Sequence, residues 1–364
     1  MFLTDRPESF EAALGLPGPW RPGEGVLTEF DKRVLARLAP GAALWVSDAD
    51  VAGTRQSGGA SSSSPSSRSS SASPTLRSSF ASPSAPGDGW HRIYLIDEAP
   101  ASQFDALREL LSGHGPRLPG PVAAVALTGR GFHGQRGRSW ASERGNLFFC
   151  AAIGDPFPIR DYALALTMLP AVVAADALHE AGVPDPRIKW VNDVLVDGHK
   201  VAGVLTATQS TGGAIDSTVF GIGMNVASAP SVPPTPFVPS VAAVRTYVPT
   251  APKGASPLLG RILDTVLTVF GSRIRSLRER GPSPLIADYR QSAGWLVGRQ
   301  VRIYPEGLVD TSGPEGWPVP DAHGVVTSIR DDLALSLAGQ DEPVQRGRLA
   351  LEEGCLAYGL SPLD

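Results

Sequence analysis

The pair Asp197-Gly198, set between the apolar runs VLV and KVAGVLTA, constrains this chain more than any other feature. A two-residue hairpin turn holds both central residues at positive φ, and Asp-Gly adopts that conformation at little steric cost. The stretch RIKWVNDVLVDGHKVAGVLTATQ therefore reads as a hairpin. From Trp90 onward its surroundings are regular: HRIYLIDE reads as a strand, SQFDALRELLSG as a helix, PVAAVALT as a buried strand and NLFFCAAI (146–153) as another. A long apolar helix follows at 161–182, with a kink expected at Pro170, and STVFGIGMNVA adds a strand. Together these segments make an α+β sheet domain.

Beyond a Pro-rich loop (229–256), PLLGRILDTVLTVFGSRIRSLRERG carries one apolar stripe and reads as an amphipathic helix. From Gly298 to Tyr358 the short runs QVRIY, GVVTSIR and LALSL alternate with turns, as in a small SH3-like β-barrel. At the other end, residues 51–87 are rich in Ser, Gly, Pro and Ala, with three arginines and no acid. Such a stretch buries too little apolar surface to offset its ordering entropy and reads as a disordered linker or insert. Before it, 27–41 has a helical stripe through Phe30, Val34 and Leu38, and GAALWVSD reads as a strand. One helix and one strand do not make a winged helix-turn-helix, which needs about three helices and a hairpin. The expected division is an N-terminal extension (1–52), the linker (53–88), an α+β domain (89–294) and the small β domain (295–364).

Composition narrows the partners. With 42% hydrophobic and 19% charged residues, the 364-residue chain can bury a sizeable core in two domains. Its net charge of −4 provides no global field for a nucleic-acid backbone or an anionic membrane, so neither is an expected partner. Cys150 and Cys355 stand far apart with no CxxC pair and no histidine cluster, which argues for a reducing compartment and no structural metal. The N-terminus MFLTDRPESF carries acids where a secretory signal needs a basic start and an apolar run, so a cytoplasmic location is expected.

Three segments carry polar groups suited to chemistry. The loop GRGFHGQRGRSW (129–140) sets glycines among three arginines, a histidine and a glutamine directly after a buried strand. Backbone can approach a ligand closely there and cations can meet phosphate, although a solvated basic turn or an RGG-like tract shares that composition. KWVNDVLVDGHKVAGV (189–204) places Lys189, Asn192 and Asp193 ahead of the turn and Lys200 just past it. Antiparallel pairing can bring Lys200 back beside Asn192 and Asp193, as a pocket-lining group or as an ordinary surface pair. GIGMNV (221–226) ends a strand with glycines that leave room for a ligand and with Asn225, able to donate and accept.

Taken together and in this order, the segments resemble the biotin protein ligases. In that family an arginine- and glycine-rich loop ending R-G-R-x-W is followed by K-W-P-N-D, by a hairpin carrying G-x-K-x-A-G-I and by G-I-G-I-N-V. Here they read QRGRSW, KWVND, GHKVAGV and GIGMNV, and the resemblance spans roughly Trp90 to Tyr358. It implies a mixed sheet with flanking helices of the biotin/lipoate ligase kind, followed by the SH3-like domain. It also implies biotin and ATP as substrates, Mg²⁺, and a biotin carboxyl carrier protein whose lysine is the acceptor. A homodimer is compatible with it.

By the same resemblance, Lys200 contacts the biotin carboxylate and the adenylate phosphate, and Arg136 and Arg138 close over the adenylate. Asp193 stands near the acceptor lysine, Trp140 beside the nucleotide, and Asn192 and Asn225 in the nucleotide site. Ser102 and Gln103 fall at the family's biotin-contacting S-T-N turn. Gly129, His133, Gly134, Gln135 and Gly137 occupy positions of the binding loop, and Lys189 and Gly203 belong to the hairpin motifs. There are departures: His133 stands at the loop's first arginine, Gly129 at its upstream glutamine and Val191 at the proline of K-W-P-N-D. The implied activity is formation of biotinyl-5′-AMP and transfer of biotin to the carrier lysine. The alternatives are a lipoate or octanoate ligase on the same fold and a catalytically impaired biotin-binding regulator.

Overall fold

The computed structural model describes residues 1–16, 18–23, 25–47, 89–112, 118–250, 252, 254–308 and 313–363, so the 53–88 linker falls outside the described residues. Before it lie β1 (Phe2–Thr4), α1 (Pro7–Leu14), β2 (Arg21–Pro22), α2 (Glu29–Leu38) and β3 (Trp45–Ser47). The central part comprises β4 (Arg92–Ala99), α3 (Gln103–Leu111), β5 (Val122–Gly129), β6 (Leu147–Ile153), β7 (Phe157–Pro158), α4 (Ile159–Glu180), β8 (Arg187–Lys189), β9 (Asp193–Val196), β10 (His199–Thr211) and β11 (Ala214–Met224). Helices α5 (Leu258–Arg280) and α6 (Ser283–Ala293) lead to β12 (Gln300–Tyr304), β13 (Ala322–Ile329), β14 (Leu335–Leu337), β15 (Arg348–Leu351) and α7 (Glu352–Ala357).

The strands β1 to β11 build one eleven-stranded mixed sheet in the order β2-β3-β1-β4-β5-β6-β11-β10-β9-β8, with β7 paired to β11. β4 runs parallel to β1 and β5, while the pairs from β5 through β8 are antiparallel. The central strands read as near-continuous apolar runs because both their faces are covered. In β6, Leu147, Phe149, Ala151 and Ile153 join the large core under α4, α5 and α6, while Cys150 and Ala152 face a second core with α2 and α3. This two-residue alternation repeats in β4 and β5. Truncating a fully buried ring such as Phe149 to alanine costs roughly 3–5 kcal/mol in such a setting.

The residues before the linker do not stand apart from this sheet. β1 pairs with β4 on one side and β3 on the other, and α1 packs Phe10 and Leu14 into the large core. Reading 1–52 as an extension left out β1 and α1, because a three-residue strand and an eight-residue helix carry too little periodicity to be seen. Phe2 is opposite both Ser47 and Ile93, so the ends of β3 and β4 stand about two strand spacings apart, roughly 10 Å.

α4 continues through Pro170 as one helix. It is apolar and long enough to cross a membrane, but 67% of its apolar window is buried inside the fold. Beyond α6, β14-β13-β12-β15 form a four-stranded antiparallel sheet. Val301, Ile303, Leu335 and Leu349 of that sheet extend the large core without a break. Trp190 also donates its Nε1–H to Leu333 O at 2.9 Å across the junction.

Candidate active site

The hairpin supplies the floor of a cavity of about 290 Å³. Asp197 and Gly198 have φ of 50° and 79°, as the tight turn requires. Val196 pairs with His199 and Leu195 with Lys200, but a bulge after Lys200 shifts the ladder so that Asp193 lies opposite Gly203. Lys200 is therefore not the backbone partner of Asp193. Its side chain runs diagonally back along the strand, and Nζ reaches Asp193 Oδ1 at 2.7 Å. Asn192 closes the hairpin mouth, accepting from Val204 N at 3.0 Å and donating from Nδ2 to Val204 O at 3.2 Å.

The hairpin also carries the site's electrostatics. Burial opposes ionisation of Asp193, but Lys200, Lys189 and Arg138 outweigh it and hold the carboxyl below the ordinary carboxylate range. Lys189 is 5% exposed and donates to Phe237 O at 2.5 Å. Burial pushes its ammonium down to about 8, against the attraction of Asp193. The backbone of Lys200 is pinned on its far side by the chain at 240–242, where Lys200 N donates to Ser240 O and Ala242 N to Lys200 O.

Trp140 ends the glycine/arginine loop and lies against β10 and β11 at Gly203 and Gly223, which face each other in register. A Cβ added at Gly223 would stand 2.7 Å from the indole, and one at Gly203 2.9 Å. These glycines make room first of all for Trp140, and Lys200 Nζ sits 5.3 Å from the ring centre as a cation–π contact. Gly223 and Gly221, not singled out individually from the sequence, line the cavity, and GIGMNV was the signal for them.

The opposite wall comes from the loop and α3. Ser102 caps α3, its Oγ accepting from Asp105 N at 3.3 Å, and Gln103 is 2% exposed with an unpartnered Nε2. Ser102, Gln103, His133, Gly134, Gln135, Arg138 and Trp140 line the cavity together with Lys189, Asn192, Asp193, Lys200, Gly203 and Asn225. Three expected residues do not. Arg136 turns outward, its side chain 63% exposed and paired with Glu306, because the 3₁₀ turn at Gln135–Gly137 places it at φ 58° on the outer side. Gly137, at φ 73°, serves that turn. Gly129 is a packing position, where a Cβ would meet Phe132 at 2.6 Å and Ala99 O at 2.8 Å.

The sequence reading also missed Arg348 and Phe237. Both line the cavity, with the guanidinium 3.6 Å from the ring centre. They come from the C-terminal sheet and the Pro-rich loop, which meet only on folding.

A family model, the Biotin/lipoate A/B protein ligase family, matches residues 117–225, which include the loop, the hairpin and β11. A biotin--[acetyl-CoA-carboxylase] ligase of Paracoccus denitrificans is 30% identical over 229 residues, covering 62% of this chain and 87% of that protein. This chain belongs to the biotin protein ligase family. The bifunctional ligase/repressor BirA of Bacillus subtilis is 28% identical over 197 residues, and the match spans 54% of this chain and 58% of BirA's own length. A biotin protein ligase from Aquifex aeolicus, solved with biotin and ATP, superposes with a TM-score of 0.51 at 18% identity over 72% of this chain and 99% of that one. That superposition is a likeness of fold. The mixed sheet and flanking helices of this chain are therefore those of the family, and the four cavity-lining motifs sit on them.

Proposed function

We propose that this ligase joins biotin to ATP as biotinyl-5′-AMP and then transfers the biotinyl group to a lysine of a biotin carboxyl carrier protein. The observation that carries this reading is the charge of the cavity. Among the described residues, its lining sets Arg138, Lys189, Lys200 and Arg348 against one carboxylate, Asp193. Such a site favours a ligand that brings several negative charges. Phe104, Phe132, Phe148 and Leu205 supply an apolar side suited to the uncharged part of an acyl substrate.

In the first step the biotin carboxylate attacks the α-phosphorus and pyrophosphate leaves. Two anions must approach each other, and Lys200, with Arg138 beside it, offsets their repulsion. On binding, Lys200 exchanges Asp193 for substrate oxygens, which frees the carboxylate to accept a hydrogen bond from the incoming lysine amine. In the second step that nitrogen, as the free amine, attacks the mixed anhydride's carbonyl, the C–O bond to AMP breaks, AMP leaves with the bond's electron pair and the nitrogen's extra proton passes to solvent. A carboxyl held as low as Asp193 is a weak base, so its main contribution is to orient the amine. Trp140 and the apolar side keep water from the anhydride.

Among the described residues no metal cage is built. The cavity lining offers a single carboxylate, Asp193, and no group of three or more His, Cys, Asp or Glu among the described residues is placed to hold a metal ion. Mg²⁺ fits this site only as the salt of the polyphosphate, and no step is routed through it. We read the β12–β15 sheet as the SH3-like domain, and a cytoplasmic location suits the two free, buried cysteines. Incubation with ATP, Mg²⁺ and either biotin or lipoate, followed by mass spectrometry, tests the reading. Biotinyl-adenylate is expected, and lipoyl-adenylate alone would overturn it.

A further inference from the structure

His133 stands where the family's loop carries its first arginine, and its surroundings are unlike those of a surface histidine. Nε2 lies 2.7 Å from Asp105 Oδ2, on the first turn of α3, and Nδ1 lies 2.9 Å from Gly134 O. The ring packs edge-on against Phe104, and the backbone of His133 bridges to Ser139 across the loop. Both partners of the imidazole are acceptors, a carboxylate and a carbonyl. A neutral imidazole has one N–H and can satisfy one of them; the imidazolium has two and satisfies both. The pair thus forms in full only with the protonated ring.

The consequence reaches the substrate. Asp105 also accounts for the cap of α3, since its backbone N–H bonds Ser102 Oγ, and Ser102, Gln103, Phe104 and His133 all line the cavity. Resting on the ligase reading, we propose that His133 is a positioning residue whose imidazolium clamps the glycine/arginine loop to α3 and so sets affinity for the carboxylate substrate. A family arginine at this position is a permanent cation; this ligase has a titrating one.

The sign follows from the neighbours. Burial disfavours the imidazolium, but the hydrogen bonds to Gly134 O and Asp105 and the Asp105 charge outweigh it, so the ring titrates above its ordinary 6.5 despite Arg108 nearby. Arg108 donates to the other oxygen of Asp105 at 3.0 Å, and the remaining charged groups on these elements are Glu109 of α3 and Arg130, Arg136 and Arg138 of the loop. On β6, Cys150 is kept protonated by burial. The clamp is complete below pH 6.5 and is lost as pH rises through the raised value.

The test uses the whole protein. Histidine-labelled NMR of the ligand-free ligase should show one ring titrating above 6.5, absent in His133→Arg and shifted down in Asp105→Asn. The KM for biotin should rise about tenfold more from pH 6.5 to pH 9 in the wild type than in His133→Arg, which keeps only the change due to Lys189 losing its charge near 8. Superimposable KM profiles for the two proteins, or a His133 ring titrating at or below 6.5, overturn the clamp. If the wild type makes no biotinyl-adenylate at any pH, the ligase reading falls, and the NMR titration then decides the clamp by itself.

Discussion

The hairpin from Lys189 to Val204 and the loop from Gly129 to Trp140 face each other across one cavity, yet they are built in opposite ways. In the hairpin, a two-residue turn and a ladder of backbone bonds dictate where each side chain points, and Lys189, Asn192, Asp193, Lys200 and Gly203 all line the cavity. In the loop, neighbouring residues go to different places without a period: His133, Gly134, Gln135, Arg138 and Trp140 inward, Arg136 to Glu306 on the surface, Gly129 and Gly137 into packing and turn. Motif position therefore translates into site position where the backbone is periodic. Where it is not, individual φ angles decide.

Four measurements bear on that contrast. The largest effect belongs to the hairpin: Lys200→Ala should slow adenylate formation by about 10²–10³-fold, roughly 2–4 kcal/mol, measured as pyrophosphate release. A loss of only a few-fold would break the ranking of the two walls. Asp193→Asn should slow transfer to the carrier lysine by on the order of 10²-fold and adenylate formation by less. Equal losses in single-turnover assays of both steps would make Asp193 an anchor of the hairpin only. Gly223→Ala tests the meeting of the two walls. Its Cβ has no room beside Trp140, and displacing the indole should cost about 1–3 kcal/mol in ATP binding by calorimetry. Gly294→Ala, where the added Cβ meets nothing, serves as its control. Smallest is Arg136→Ala, whose exposed pair with Glu306 is worth about 0–1 kcal/mol. Arg138→Ala should lose at least about tenfold more kcat/KM for ATP than Arg136→Ala, and the reverse order would restore Arg136 to the site.

Much of the fold was legible because β4, β5 and β6 are long and covered on both faces and so announce themselves as apolar runs, while β10 is announced by the Asp-Gly turn ahead of it. β1 and α1 were not, since three buried residues beside a short helix look like any loop until β4 is there to pair with. The hairpin pairing was legible one step short. A symmetric ladder puts Lys200 opposite Leu195, and only the bulge after it explains why Gly203 faces Asp193 while Lys200 reaches that carboxylate diagonally.

The hairpin, the glycine/arginine loop, the order of the motifs and hence the family are written in the chain itself, because each rests on neighbours a few residues apart. Tertiary structure alone decided that Trp140 lies on the Gly203–Gly223 pair, that Arg348 and Phe237 close the cavity, and that Asp105 holds His133. Each of those contacts joins segments far apart in the chain. Nothing in local propensity encodes such a meeting; it exists only once the sheet has set the distances between strands and the C-terminal sheet has packed against them.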